Sequence, residues 1–251
     1  MADDVLVSGQ GPLTVVAVHG IQGTRAVWQP LAEQLGGLCT FVLPNLPGRA
    51  SAPTPAGPHE CTLQAYADVL RRVICTQVRG PFVLAGWSLG VSVALAYLAQ
   101  ARATSQPMPA ELVLVSGTPQ LNQVAWFPAV SSETALRDAI AARERRLGLR
   151  EAADHQTVAW TWMSIRDTDQ RAELRHVTCP TRVIHGSADD DCPLHHGAAL
   201  AEGIPDAALH VLHGAGHNVF TQQTDEIADA LRLYWRERNA TSNKTYPRET
   251  A

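Results

Sequence analysis

The sequence predicts an α/β fold: an open, mostly parallel sheet flanked by helices and interrupted once by a small helical insertion. Three observations carry this expectation. Apolar runs bounded by Gly and Pro alternate with segments of helical spacing. Those runs are continuous rather than alternating, as strands covered on both faces require. The rhythm stops at Leu121 to Thr178, a stretch rich in Arg, Glu, Ala and Trp, and then resumes. A chain of 251 residues suffices for one such domain with a sizeable core.

Taken in order, Leu13 to His19 (LTVVAVH) reads as a buried strand, Val27 to Leu35 as a short helix and Cys39 to Leu43 as a second strand. Pro44 to Pro58 is so dense in proline that it must be a loop. From Thr62 to Val78 the residues Leu63, Tyr66, Ala67, Leu70, Val73 and Ile74 recur at helical spacing. Phe82 to Ala85 is a strand, Leu89 to Ala101 a helix and Glu111 to Ser116 a strand. Within the insertion Ala135 to Leu147 and Thr157 to Ile165 read as helices. Strand signals return at Arg182 to His185 and Ala208 to Leu212, and a helix follows near Asp225 to Arg238. These limits divide the chain into a core at 1–119 and 179–240, a helical cap at 120–178 and a polar tail at 241–251, whose composition predicts disorder.

Composition narrows the function. A net charge of -4 gives no basis for a nucleic-acid partner. No apolar run reaches membrane-spanning length, and the start, MADDVLVSGQ, lacks the basic and apolar regions of a secretory signal. Cys39, Cys61, Cys75, Cys179 and Cys192 are scattered and form no CxxC, so idle thiols in the cytoplasm are expected rather than a disulfide framework or a zinc site.

Gly86-Trp87-Ser88-Leu89-Gly90 matches G-x-S-x-G, and its context matters more than the pattern. It follows the strand FVLA and opens an Ala-rich helix, so a sharp turn would hold Ser88 in a strained conformation with its oxygen free at the strand's end. The N–H of Leu89, first in that helix, can face an oxyanion. A serine hydroxyl needs a base, usually an imidazole oriented by a carboxylate. After the strand Arg182 to His185 comes Gly186-Ser187-Ala188-Asp189-Asp190-Asp191-Cys192-Pro193, which offers three carboxylates. After ALHVL comes His213-Gly214-Ala215-Gly216-His217, whose glycines let His217 swing over the sheet edge. Asp189 to Asp191 with His195 and His196 could instead be read as metal ligands, but a serine mechanism explains the segment better and needs no metal or cofactor. His19-Gly20-Ile21-Gln22-Gly23 can supply a second amide, that of Ile21, opposite Leu89; His19 is expected to brace this loop.

Together VAVHG, NLPGRAS, GWSLG, HGSADDDCP and GAGH resemble the α/β-hydrolase superfamily over nearly the whole chain. GWSLG and the small cap resemble its carboxylesterase branch, the pimeloyl-acyl-carrier-protein methyl ester esterases of biotin synthesis. The resemblance implies Ser88 as nucleophile, Asp189 as acid, His217 as base, and Ile21 with Leu89 as oxyanion donors. The chain departs from the usual pattern at Asn45, where an aspartate is common, at Arg49-Ala50, and in having room for one strand before VVAVHG.

In that branch, cap residues such as Trp126, Phe127, Trp160, Trp162 and Met163 would roof the cleft and line an acyl pocket, with Trp87 touching substrate or packing beneath it. Arg137, Arg143, Arg145, Arg146 and Arg150 make the cap basic, which would suit an acyl carrier protein as partner, although a charged helix face is more often simply solvated. Thioesterase, lactonase and metal-free haloperoxidase chemistry use the same triad, and a ligand receptor could retain it.

Overall fold

The computed structural model describes residues 3–128, 132–149 and 151–242. Arg150 of the basic cap and residues 243–251 of the polar tail lie outside the described residues.

Seven strands form one sheet: β1 (Val5–Ser8), β2 (Leu13–Val18), β3 (Cys39–Pro44), β4 (Phe82–Trp87), β5 (Glu111–Val115), β6 (Thr181–Gly186) and β7 (Ala207–Leu212). Their order is β1-β3-β2-β4-β5-β6-β7, with β1 antiparallel to β3 and every other pair parallel. Because successive side chains on a strand face opposite ways, each run feeds two cores. Val16, Val18, Leu112 and Leu114 join one apolar cluster, while Val15, Ala17, Val113 and Val115 join the other. This two-sided burial explains the unbroken apolar runs.

Helices α2 (Leu63–Gln77) and α3 (Leu89–Thr104) cover the first face. Thr62 caps α2, its hydroxyl accepting from Ala65 N at 3.1 Å. The second face is covered by α1 (Gln29–Leu35) and α9 (Thr224–Ser242), which bury Leu31, Leu35, Ile227, Leu231 and Trp235. Between β5 and β6 lie α4 (Glu133–Leu147), α5 (His155–Ile165) and the single turn α6 (Arg171–Leu174). Leu136, Ile140, Val158 and Trp162 from α4 and α5 pack into the α2–α3 side of the core. The helix α7 (His195–Gly203) connects β6 to β7, and the single turn α8 (Val219–Gln222) precedes α9. Sequence periodicity gave no sign of α7, whose HHGAALAEG has two glycines and little apolar contrast.

The approach of α3 to the sheet is close enough to require glycine. A Cβ on Gly86 would lie 2.3 Å from Gly90 O, and one on Gly90 would lie 2.3 Å from Val18 O. Gly90→Ala should therefore push α3 away from β2 and cost about 1–3 kcal/mol, read as a lower urea midpoint. Gly37→Ala, whose Cβ would meet nothing within 4 Å, should stay within about 0.5 kcal/mol of the parent.

Candidate active site

Parallel strands place their C-terminal ends along one rim, and the loops that matter all leave from there. The turn after β4 carries Ser88, at φ 56° and ψ −118°, a conformation that costs on the order of 1–3 kcal/mol for a residue with a side chain. It is fixed on both sides: Ser88 N donates to Val115 O at 3.0 Å, and Ser88 O accepts from Val91 N at 3.0 Å.

Ser88, Asp189 and His217 meet at this rim. His217 Nε2 lies 2.9 Å from Ser88 Oγ, and His217 Nδ1 lies 2.9 Å and 3.1 Å from the two oxygens of Asp189. A carboxylate only accepts, so Nδ1 carries the ring proton and Nε2 is left to accept from the serine hydroxyl. The two loops are laced together. Ala188 N donates to Ala215 O at 2.9 Å, and Gly214 N donates to Ser187 Oγ at 2.8 Å. Gly186 is required here, since its Cβ would sit 2.4 Å from Ala215 O.

The three aspartates have separate fates. Asp189 Oδ1 accepts from Asp191 N at 3.0 Å and Cys192 N at 2.8 Å, which aims the carboxylate at His217. Asp190 is exposed and pairs with Arg146 at 3.1 Å. Asp191 is buried and pairs with Arg143 at 3.1 Å and Arg146 at 2.6 Å. Burial alone would push the Asp191 carboxyl up; the charges and hydrogen bonds of Arg143 and Arg146 outweigh it and hold the carboxyl below its ordinary range. Among the described residues no group of three or more His, Cys, Asp or Glu could hold a metal ion.

The loop after β2 lies directly against Ser88: a Cβ on Gly20 would come within 3.2 Å of Ser88 Cβ. Leu89 N, in the first turn of α3, has no intrahelical acceptor. The loop is held from several directions. His19 Nδ1 donates to Gly20 O at 2.8 Å while its Nε2 accepts from Leu46 N at 3.0 Å. Arg49 donates to Ile21 O at 2.7 Å, Pro47 O at 2.7 Å and Tyr66 Oη at 3.0 Å. Among the described residues it meets no carboxylate, and its Nε is without a partner. Asn45, at the departure from the usual aspartate, accepts from Arg25 N at 2.8 Å and donates to Asp4 at 2.9 Å.

The tryptophans divide. Trp87 is buried under the loop, in line with Gly20 and Gly23, and donates to His217 O at 3.2 Å. It supports the site from below. Trp126 and Trp162 pack with centroids 5.7 Å apart, and Trp126 Nε1 donates to Asp191 O at 3.2 Å. Phe127 stands edge-on to Trp162, Trp160 is partly buried against the same cluster, and Met163 is half exposed. Two of the cap arginines are also not what a basic docking face requires: Arg143 is buried on Asp191, and Arg146 is spent on Asp190 and Asp191.

Sequence reasoning missed His185, Arg49, Gln22 and the burial of Arg143. His185 Nε2 donates to Cys192 O at 2.6 Å and stands 3.6 Å from Asp189. Burial holds its pKa below the ordinary histidine value, so it faces the acid as a neutral ring at neutral pH. Ser88, His217 and Asp189 are only 1%, 3% and 5% exposed. A cavity of about 590 Å³ is lined by Gly23, Val27, Leu149, Glu151, Asn218 and Phe220, and none of the three reacting residues forms its wall.

A strand–turn–helix serine meeting an imidazole and a carboxylate at the rim of a parallel sheet defines a class, and sequence comparison gives its name. The model of the alpha/beta hydrolase family matches residues 15–230, and the chain belongs to that family. It is 27% identical over 253 residues to the pimeloyl-acyl-carrier-protein methyl ester esterase of Nitrosomonas europaea, covering 89% of this chain and 96% of that one. It is 28% identical over 264 residues to the 2-succinyl-6-hydroxy-2,4-cyclohexadiene-1-carboxylate synthase of Salmonella paratyphi B, covering 89% and 95%. The fold matches an esterase from Exiguobacterium antarcticum with a TM-score of 0.77 at 21% identity, covering 92% and 94%.

His19 makes the site sensitive to acid. Burial, with Arg49 adding to it, lowers its pKa from 6.5 to about 3. Between these values the unfolded chain binds a proton that the folded chain refuses, so stability falls as pH drops below about 6.5. By pH 5 His19 alone should remove roughly 2 kcal/mol. Urea midpoints at pH 7 and pH 5 should therefore diverge less in His19→Asn than in the parent; equal divergence in both would show that His19 does not carry the effect.

Proposed function

We propose that this carboxylic ester hydrolase works through an acyl-enzyme on Ser88, with His217 as general base and Asp189 as the carboxylate that orients it. The observation that carries the reading is the hydrogen-bonded succession from Ser88 Oγ through His217 to Asp189, each step near 2.9 Å. His217 takes the hydroxyl proton as Ser88 attacks the ester carbonyl, then returns it to the leaving alcohol. The amides of Ile21 and Leu89 receive the charge that develops on the carbonyl oxygen. Water, activated by His217, then releases the acid and restores the serine.

For the finer substrate we propose a methyl ester of an acyl chain carried on an acyl carrier protein. Support comes from the relatives named for that activity at 26–27% identity, which match this chain over nearly their whole length. Trp126, Phe127 and Trp162 form apolar surface beside the acid turn, the chemistry an acyl chain needs. The relatives named as a cyclohexadiene carboxylate synthase, at 28% identity, make turnover of that enzyme's substrate the second reaction to test. Cytoplasmic residence goes with either reading, and among the described residues no helix is long and apolar enough to cross a membrane.

A panel of p-nitrophenyl esters of graded acyl length tests the chemistry. Ser88→Ala should lower kcat by about 10⁶-fold and Asp189→Asn by about 10⁴-fold. Turnover that survives Ser88→Ala removes Ser88 as nucleophile. Methanol release from carrier-bound and free methyl pimelate, compared at equal concentration, tests the finer reading: equal efficiency would mean that the carrier is not recognised.

A further inference from the structure

We infer that Arg143 is a positioning residue which assembles the oxyanion loop and the acid turn together when the cap is closed, an inference that rests on the serine mechanism proposed above. Its guanidinium, nearly inaccessible on α4, reaches two segments far apart in the chain. Nη1 donates to Gln22 Oε1 at 2.7 Å, next to Ile21. Nε and Nη2 donate to the two oxygens of Asp191 at 3.3 Å and 3.1 Å. The faces of Trp126 and Phe127 hold it at 5.7 Å and 5.6 Å.

From each segment a short covalent path leads to a reacting group. Asp191 N is one of the two donors that orient Asp189 Oδ1, at 3.0 Å, so the ion pair pins the turn that aims the acid at His217. Gln22 Nε2 donates to Ile140 O of α4 at 2.8 Å, and Gln22 O accepts from Ala153 N at 2.8 Å. Gln22 is thus tied to the cap at three points, and its neighbour Ile21 is one proposed oxyanion donor. The planar, five-donor guanidinium suits this position because one group can hold a bidentate carboxylate and a third acceptor in a fixed fork; an ammonium presents no such plane. Cap closure and assembly of the site are therefore one event. A cap displaced from Arg143 frees both the acid turn and the oxyanion loop.

Removing the charge from Arg143 alone would leave Asp191 buried and unpaired, which threatens folding. The test uses Arg143→Gln combined with Asp191→Asn, which neutralises both partners, alongside Arg143→Lys and Gln22→Met, each first shown by circular dichroism to be folded. Turnover is read on p-nitrophenyl acetate, too small to depend on an acyl pocket. The paired variant should lose about thirtyfold in kcat and Gln22→Met about fivefold, with KM within about twofold and Arg143→Lys intermediate. A folded paired variant with kcat within about twofold of the parent, or a change confined to KM, overturns the inference. A second readout needs no turnover: the downfield proton resonance of His217 Nδ1, identified by its loss in Asp189→Asn, should shift or broaden in the paired variant. If it stays in place, Arg143 only anchors the cap. Turnover surviving in Ser88→Ala would sink the serine mechanism, and the resonance would still decide the role of Arg143.

Discussion

The site depends on one close contact, that of the start of α3 with the ends of β4 and β2. Gly86 and Gly90 carry no side chain because backbone oxygens occupy the space a Cβ would need. The turn between them has no room to relax, and Ser88 is left at positive φ with both of its peptide groups hydrogen-bonded. A flexible turn would let the hydroxyl point anywhere. This one sets Oγ at the rim, where the loops after β2, β6 and β7 can reach it, and leaves the first amide of α3 beside it.

Around that fixed point the other groups arrive on loops, so each needs its own restraint. The base is held by Trp87 from below and by Asp189 from the side. The acid is held by two backbone amides, and the turn that supplies them is held in turn by buried charge. The loop bearing Ile21 is gripped by His19, Arg49 and the Gln22 network. Hydrogen bonds to charged groups are worth about 1.5–3 kcal/mol each, enough to restrain a loop whose backbone alone would wander.

What was legible in the sequence was whatever depends on local order. The two-sided strands read as unbroken apolar runs, and Ser88 was marked by a strand, a five-residue pattern and a helix in succession. The reach of His217 to Asp189 was foreshadowed because each follows a strand and a glycine. What could not be read depends on folding itself. Gln22 and Arg143 meet across 121 residues, and no spacing rule predicts such a contact. Arg143 looked like one member of a solvated basic face because arginines cluster around it in the sequence; helical geometry turns residue 143 inward, where Trp126, Phe127 and Asp191 complete its shell. Helix α7 was hidden by two glycines and a weak apolar stripe, and it forms because Leu200 and Ile204 have core to pack against.

Departures from the rules of a stable interior also gather at this rim. Ser88 and Ser116 sit at positive φ, at φ 56° and φ 44°, immediately after β4 and β5. Among the described residues Arg49 is a buried cation without a carboxylate, and His185 Nδ1 and Ser116 Oγ are buried without partners. Each such feature costs on the order of a kilocalorie per mole or more. Away from the rim the two apolar layers show the opposite character, with Val, Leu and Ile closed on both faces of the sheet. A chain can carry that load only if the rest of the domain supplies the surplus, and the double-sided core does so at about 25 cal/mol per Å² of apolar surface buried. The division has a mechanical consequence. Because the core is rigid, Ser88 is fixed by the sheet itself, while the loops that bring the acid and the oxyanion donor to it are held by the polar contacts of Arg143 and Gln22.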